Sequence, residues 1–181
     1  LVGSEMCIRD SHYIKQLSET EQLIQNVEII PLEVVVRNIA AGSFSKRLAI
    51  PEGTPLKSPI VEFYYKNDEL DDPMVIDAHI LTLELATAEE LTQLRQKALA
   101  VGEALTELFD SIDITLVDFK LEFGRQKDGS ILLADEVSPD TCRLWDKQTN
   151  EHLDKDIYRR DLGDIIPVYQ EVLNRLEKRG E

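Results

Sequence analysis

Residues 116–124 constrain the fold more than any other stretch, because charged and apolar side chains alternate there with a strict period of two. Successive side chains of a β-strand point to opposite faces, so this period predicts a strand with one apolar face and one charged face. The apolar face comprises Val117, Phe119, Leu121 and Phe123, and the charged face comprises Asp118, Lys120 and Glu122.

A chain reversal follows this strand, at Lys127-Asp128-Gly129-Ser130, and its central Asp-Gly pair is typical of a hairpin turn. A two-residue loop pairs Lys127 with Ser130 and, counting outward, Glu122 with Asp135. Like charges directly opposed on one face are destabilising unless something offsets them. A divalent cation bound between the two carboxylates would do so. The alternative on local grounds is the solvated outer face of an antiparallel hairpin.

The other patterns favour an α+β protein in which an antiparallel sheet is flanked by helices. The capping box Thr87-Ala-Glu-Glu90 starts the clearest helix, and Asp164 and Ser43 are predicted to cap two others. The predicted strands are 27–36 with a kink at Pro31, 60–66, 113–124 and 130–137, and the predicted helices are 43–48, 87–108 and a final one after 164.

Composition excludes several classes of protein. A net charge of −15 over 181 residues argues against a partner such as duplex nucleic acid, which needs clustered basic side chains. No apolar run approaches the roughly 20 residues that span a bilayer, so no membrane segment is expected. Cys7 and Cys142 match no zinc spacing and favour a reducing, cytoplasmic setting. Residues 1–16 are expected to be a leader, either foreign to the protein or disordered, before one region at 17–181.

Three segments offer side chains for binding or chemistry, and each also has a purely structural interpretation. Arg37 and Ser43 flank small residues that allow a phosphate to approach, or they belong to an ordinary capping turn. Lys66 and Asp72 bound an acidic loop that reaches a cleft or is simply solvated. Arg143 suits bidentate binding of a carboxylate or phosphate, or it pairs with Asp140 or Asp146. The three histidines and Cys142 belong to no nucleophile pattern, so they are read as structural.

Taken in series, these segments resemble the SAICAR synthetase family. The resemblance runs from about Leu17 to the C-terminus and rests on four motifs. They are Ile30-Pro-Leu-Glu-Val-Val-Val-Arg37 with Ala41-Gly-Ser43, Lys66-Asn-Asp with Asp72-Pro73, Leu116 to Gly124, and Asp135-Glu136 with Ser138-Pro-Asp140 and Arg143-Leu-Trp-Asp146.

The resemblance implies a cytoplasmic ATP-dependent ligase of purine biosynthesis with a two-lobe fold similar to ATP-grasp proteins and kinases. Such an enzyme joins L-aspartate to the carboxylate of carboxyaminoimidazole ribonucleotide and releases ADP and phosphate. It also implies residue roles. Lys120, Glu122 and Asp135 would be the catalytic residues facing ATP, with Glu122 and Asp135 on Mg²⁺, and Arg37, Ser43, Lys66, Asp72, Asp140 and Arg143 would bind the ribonucleotide.

One departure from the family's pattern shapes the expectation. Members begin with a small β lobe whose Gly-Lys-rich turn covers the ATP phosphates, and nothing in this sequence corresponds to it. We therefore expect an N-terminally truncated member that lacks most of that lobe. The alternatives are a non-catalytic nucleotide-binding module of the same fold and a kinase-like phosphotransferase. Association into homo-oligomers is left open.

Overall fold

The structure is a computed structural model that describes residues 10–18, 20–161 and 163–179. The chain divides into two compact units, each assembled from separate stretches of sequence. The first unit is drawn from the described residues within 1–35, 61–101 and 121–136, and the second from the described residues within 36–60, 102–120 and 137–181.

Eight strands and five helices are formed by the described residues, together with a 3-10 turn at Asp68–Leu70. The strands are β1 Tyr13–Gln16, β2 Gln22–Ile24, β3 Glu28–Ile39, β4 Pro55–Tyr65, β5 Met74–Val75, β6 Ile114–Arg125, β7 Ile131–Leu133 and β8 Cys142–Asp146. The helices are α1 Gly42–Leu48, α2 Asp77–Thr82, α3 Ala88–Asp110, α4 Asp156–Arg159 and α5 Ile165–Arg179.

The main sheet has the strand order β5-β4-β3-β6-β7, and β8 also pairs with β6. β1 and β2 form a separate antiparallel hairpin. The pairs β4–β5, β6–β7 and β6–β8 are antiparallel as well, so the predicted α+β class with an antiparallel sheet is confirmed. None of the helices in the described parts of the chain combines the length and apolar character needed to span a bilayer.

Strand β6 has the apolar face that its sequence predicts. Val117, Phe119, Leu121 and Phe123 are all buried. The opposite face is not solvated, however, because Asp118 and Glu122 are buried as well and Lys120 is half-buried. The interpretation of this face as an outer surface is therefore wrong, and its buried charges require partners.

The predicted register of the hairpin is also wrong, by one residue. Phe123 pairs with Leu133 and Arg125 with Ile131, so Glu122 lies opposite Ala134, whose N–H donates to the Glu122 carbonyl at 2.9 Å. The loop contains three residues, because Gly129 adopts a left-handed φ of 85° and the Ser130 N–H donates to the Asp128 carboxylate. Asp135 is thus one position beyond the residue opposite Glu122.

Several boundaries differ from the sequence-based expectation, among them the start of β4, which is at Pro55 and not at residue 60. β3 continues through Pro31, which lacks only an N–H and still accepts from the Lys66 N–H at 3.1 Å. α1 starts at Gly42, so Ser43 lies inside the helix and does not cap it. β7 ends at Leu133, before the turn around Ser138. Tyr13–Gln16, within the expected leader, forms β1, while residues 1–9 lie outside the described residues.

The two long helices begin as predicted. The Thr87 hydroxyl accepts from the Glu90 N–H at 3.1 Å and the Glu90 carboxylate accepts from the Thr87 N–H at 2.8 Å, which is a complete capping box. Asp164 caps α5 by accepting from the Ile166 N–H at 3.0 Å. Leu91, Leu94 and other apolar positions of α3 are buried, which anchors this helix in the core.

The capping box provides a test of local stability. Replacing Thr87 with Ala should lower the free energy of unfolding by about 0.5–2 kcal/mol, because the Glu90 N–H loses its acceptor. Thr92→Ala is the matched control, since the Thr92 hydroxyl only donates to the Ala88 carbonyl within α3. Urea unfolding of both variants measures the difference. Equal losses in both variants would contradict the capping role.

Candidate functional site

Asp118 is the centre of a cluster of charged side chains in the second unit. A bulge in β6 between Leu116 and Asp118 brings Asp118 opposite Arg143 on β8. Directly opposed residues share a face of the sheet, so the two side chains meet. Arg143 Nη1 donates to both carboxylate oxygens of Asp118, at 3.0 and 2.8 Å. Arg37, from the end of β3, donates from Nη1 to Asp118 Oδ2 at 2.8 Å.

A second carboxylate fixes the other side of the Arg143 guanidinium. Arg143 Nε donates to Asp156 Oδ2 at 3.0 Å, so Asp118 and Asp156 hold Nη1 and Nε. Nη2 is then the one nitrogen of this guanidinium without a hydrogen-bond partner among the described residues. It lies against Gly42, where an added Cβ would be only 2.5 Å from Nη2. Gly42 also has a left-handed φ of 53°, so both space and backbone conformation favour glycine there.

Electrostatics keep these groups charged. Burial disfavours the Arg143 cation, but Asp118 and Asp156 outweigh it and raise the pKa of Arg143. Burial likewise opposes ionisation of Asp156, yet Arg143 and Arg160 hold its pKa below the ordinary value. Arg143 and Asp156 therefore form an ion pair whose charged form persists at neutral pH.

The ion pairs continue into a closed ring around a cavity of about 820 Å³. Arg160 Nη2 donates to Asp156 Oδ2 at 3.3 Å, and Arg160 Nη1 donates to Glu52 Oε2 at 3.1 Å. The Gly42 N–H donates to Glu52 at 3.4 Å, and Arg37 Nη2 donates to the Ser43 hydroxyl at 3.5 Å, both at the long limit. The cavity is lined by Gly42, Ser43, Ser45, Lys46, Ile50, Glu52, Arg143, Asp156, Arg159 and Arg160.

A fully buried carboxylate positions the wall of this cavity. Asp154 accepts from the Leu144 N–H at 2.7 Å and from the Asp156 N–H at 2.8 Å, which ties β8 to α4. Burial raises the pKa of Asp154. His152, Asp154 and Asp156 have the residue types of a metal site, but the two aspartates already accept from backbone N–H groups and arginines. The two aspartates are therefore hydrogen-bonded supports of the cavity wall.

The first unit holds a separate group of predicted residues. Lys66 Nζ donates to Glu122 Oε2 at 2.6 Å, so a buried carboxylate is neutralised by a half-exposed ammonium. Asp72 accepts from the Asn67 N–H at 2.7 Å and closes the acidic loop. Asp135 accepts from the Glu136 N–H at 2.9 Å. The acidic loop is thus closed by its own hydrogen bonds, and Lys66 does reach another element.

The structure brings together some predicted residues and separates others. Arg37, Ser43 and Arg143 belong to one ring, whereas Asp140 is exposed on the turn before β8. Arg37 is the buried member of this ring and is absent from the cavity lining. Sequence reasoning missed Asp156, Arg160 and Glu52, which carry no recognisable motif. The two consecutive basic residues Arg159-Arg160, in an otherwise acidic chain, were the one sequence signal that could have indicated this part of the site.

The local alternatives for Arg143 are wrong, because it pairs with neither Asp140 nor Asp146. Asp146 is occupied elsewhere: its Oδ1 accepts from the Gln148 and Thr149 N–H groups, and its Oδ2 accepts from Arg175 at 2.8 Å. The hydrogen bond from Thr149, with the bonds from Arg175 and Gln148, lowers the pKa of Asp146 to about 2. Cys142 is also structural, since burial raises the pKa of its thiol to about 12.

Fold and site together define a class: α+β proteins in which a cationic cavity is framed by arginines that buried carboxylates hold in place. The profile of one such family, SAICAR synthetase, matches residues 5–176. The chain therefore belongs to the SAICAR synthetase family.

Individual relatives agree with the profile. The phosphoribosylaminoimidazole-succinocarboxamide synthase of Enterococcus faecalis is 63% identical over 166 residues, which cover 92% of this chain and 70% of that protein. A solved structure of the synthase from Ehrlichia chaffeensis is 53% identical, has a TM-score of 0.90 and covers 93% of this chain and 72% of its own. A SAICAR synthetase in complex with ADP is 48% identical, with a TM-score of 0.90 and coverages of 92% and 71%.

Asp146 predicts how stability depends on pH. Its folded pKa of about 2 lies below the ordinary 3.8, so the ionised carboxylate stabilises the fold above about pH 4. That contribution is lost as the pH falls toward 2. We expect Asp146→Asn to be less stable than the natural chain by about 1 kcal/mol near neutral pH, and the gap to close below about pH 3. Urea unfolding across this range measures it, and a gap that stays constant with pH would contradict the assignment.

Proposed function

We propose that this chain acts in the ATP-dependent joining of L-aspartate to the carboxylate of carboxyaminoimidazole ribonucleotide, with release of ADP and phosphate. Membership of the family and the names of its relatives support the reaction, and the relative in complex with ADP supports the nucleotide. A carboxylate is a poor acyl donor. Transfer of the γ-phosphoryl group to it creates a mixed anhydride that the aspartate amine attacks.

The observation that carries the proposal is the Arg143 guanidinium. Two buried carboxylates fix its Nε and Nη1 and leave Nη2 as a positioned donor. A donor held in this way is organised before the ligand arrives, so little rotamer entropy is lost on binding. A charged donor also prefers an anionic acceptor, and the phosphate of the ribonucleotide is the most highly charged group that this substrate offers.

The other predicted substrate residues take graded roles in this proposal. Ser43 lines the cavity, and its hydroxyl would donate a hydrogen bond to the phosphate. Arg37 does not line the cavity and would act indirectly, through its hydrogen bonds to Asp118 and Ser43. Lys66, Asp72 and Asp140 are assigned to the ribonucleotide by the family resemblance alone. Lys120, on the same strand as Glu122, is assigned to the nucleotide on the same basis.

The carboxylates of the first unit have the chemistry that Mg²⁺ requires, because hard cations prefer oxygen ligands. Glu122 already holds a cation, the Lys66 ammonium, at 2.6 Å, and we take this group as a stand-in for the metal. Glu122 and Asp135 would hold Mg²⁺, and the ion would neutralise charge on the ATP phosphates. The chain's own contribution is to hold the Glu122 carboxylate in place, with Lys66 as its counter-ion.

Release of ADP tests the proposed reaction. The chain is mixed with ATP, Mg²⁺, carboxyaminoimidazole ribonucleotide and L-aspartate, and ADP is measured as each component is omitted. The ligase requires both substrates for repeated turnover of ATP to ADP, because without aspartate the mixed anhydride accounts for at most one equivalent of ADP per site. Multiple turnovers of ADP without aspartate would instead indicate a phosphotransferase. Binding of the ribonucleotide with no ADP under any condition would indicate a non-catalytic module.

Arg143 should control affinity for the ribonucleotide. Arg143→Gln removes a charge-assisted hydrogen bond, so we expect the dissociation constant to rise at least about tenfold. Arg175→Gln is the matched control, because Arg175 also pairs with a carboxylate of the second unit but lies outside the cavity. Isothermal calorimetry measures both. An unchanged affinity in Arg143→Gln would make Arg143 a structural residue.

Glu122 and Asp135 should control the use of Mg²⁺–ATP instead. We expect Glu122→Gln or Asp135→Asn to weaken Mg²⁺–ATP binding on the order of tenfold, since each removes one anionic oxygen ligand. Ribonucleotide affinity should stay within about twofold in both variants. Glu90→Gln is the control, because Glu90 is also a carboxylate of the first unit paired with a basic side chain, that of Arg125. Equal Mg²⁺–ATP affinity in all four proteins would remove the metal assignment.

A further inference from the structure

The ring around the cavity alternates in charge. Three guanidinium groups, those of Arg37, Arg143 and Arg160, are joined by three carboxylates, those of Asp118, Asp156 and Glu52. Each cation is therefore already matched by an anion of the protein itself. An incoming anion that binds these guanidinium groups must share them or displace one of the carboxylates, whereas Lys46 and Arg159 also line the cavity.

The three carboxylates are not equally replaceable. The side chains of Asp118 and Asp156 are 6% and 4% exposed, and each accepts from two arginines. The Glu52–Arg160 pair is 37% exposed on both sides. Among the arginines that the structure describes, Glu52 accepts from Arg160 alone, and its hydrogen bond from the Gly42 N–H is long at 3.4 Å. Glu52 is therefore the carboxylate of the ring that an incoming anion can displace most easily.

We infer that Glu52 is a displaceable counter-anion: its carboxylate occupies Arg160 in the free protein and gives way when a phosphate dianion enters the cavity. This inference rests on the proposed function, in which the cavity receives the substrate phosphate. After displacement, Arg160 keeps one carboxylate partner, Asp156. Its guanidinium then becomes a second donor to the phosphate, in addition to Arg143 Nη2. Glu52 thus acts as a specificity-determining residue for the family reaction, because it lowers the affinity of the cavity for every anion that must displace it.

The consequence for selectivity follows from charge. A monoanionic carboxylate that replaces Glu52 exchanges one single charge for another and gains little. A phosphate dianion brings a second charge and more acceptor oxygens, so it alone gains from the exchange. Glu52 therefore favours phosphate esters over carboxylates, such as those of L-aspartate, at this cavity.

Glu52→Gln tests the inference because it removes the charge while keeping the shape and the amide oxygen that can accept from Gly42. We expect this variant to bind ribose 5-phosphate about two- to fivefold more tightly, the range that an exposed ion pair contributes. It should also bind acetate measurably better. If Glu52 merely positions Arg160, affinity for ribose 5-phosphate falls instead, and that result would overturn the inference, as would no change.

Two further variants define the comparison. Arg160→Gln should weaken binding of ribose 5-phosphate, and unchanged binding would overturn the inference, because Arg160 is the group that Glu52 releases. Glu171→Gln is the matched control: Glu171 accepts from Arg175 Nε at 2.7 Å but does not line the cavity, so the affinity should not change. Circular dichroism of each variant confirms that the fold is retained.

The failure of the proposed function is recognised separately. If the natural chain binds neither ribose 5-phosphate nor the ribonucleotide, or if Arg143→Gln binds both as well as the natural chain does, the phosphate assignment of the cavity is lost. If the natural chain binds them through Arg143 but Glu52→Gln shows no gain, only the role of Glu52 fails.

Discussion

The site depends on the buried carboxylate of Asp118, which accepts from Arg37 at 2.8 Å and from Arg143 through both of its oxygens. A buried charge costs several kcal/mol unless it is paired, and removal of a partner leaves the remaining charge uncompensated. Asp118 and its two arginines are therefore retained or lost together. Because these residues come from three different strands, the same requirement fixes β3, β6 and β8 at this point of the second unit.

Local sequence pattern predicted β6, α3 and α5 because side-chain periodicity and helix caps depend on neighbouring residues. It failed on the hairpin register because Gly129 and the Asp128–Ser130 hydrogen bond add one residue to the loop, which exchanges the faces of the following strand. Most of the ion pairs of the ring could not be predicted from local sequence pattern either. Arg37 and Asp118 are 81 residues apart and Arg160 and Glu52 are 108 apart, and no spacing rule predicts such pairs.

The family resemblance identified residues but not their arrangement. Arg37 and Arg143 looked equivalent as phosphate ligands, whereas the structure buries Arg37 behind the cavity and leaves one nitrogen of Arg143 available. Lys66 and Glu122 were assigned to different ligands, yet they form a direct ion pair. Roles therefore follow from which hydrogen bonds a side chain has already committed, and a motif does not contain that information.

Gly42 contributes to the site by what it lacks. An alanine scan measures the importance of most residues by removing side-chain atoms, but at this position alanine adds one. That single methyl group would occupy the volume that the Arg143 guanidinium fills, 2.5 Å from Nη2. The backbone at the start of α1 therefore shapes the space for a side chain 101 positions later in the chain, Arg143.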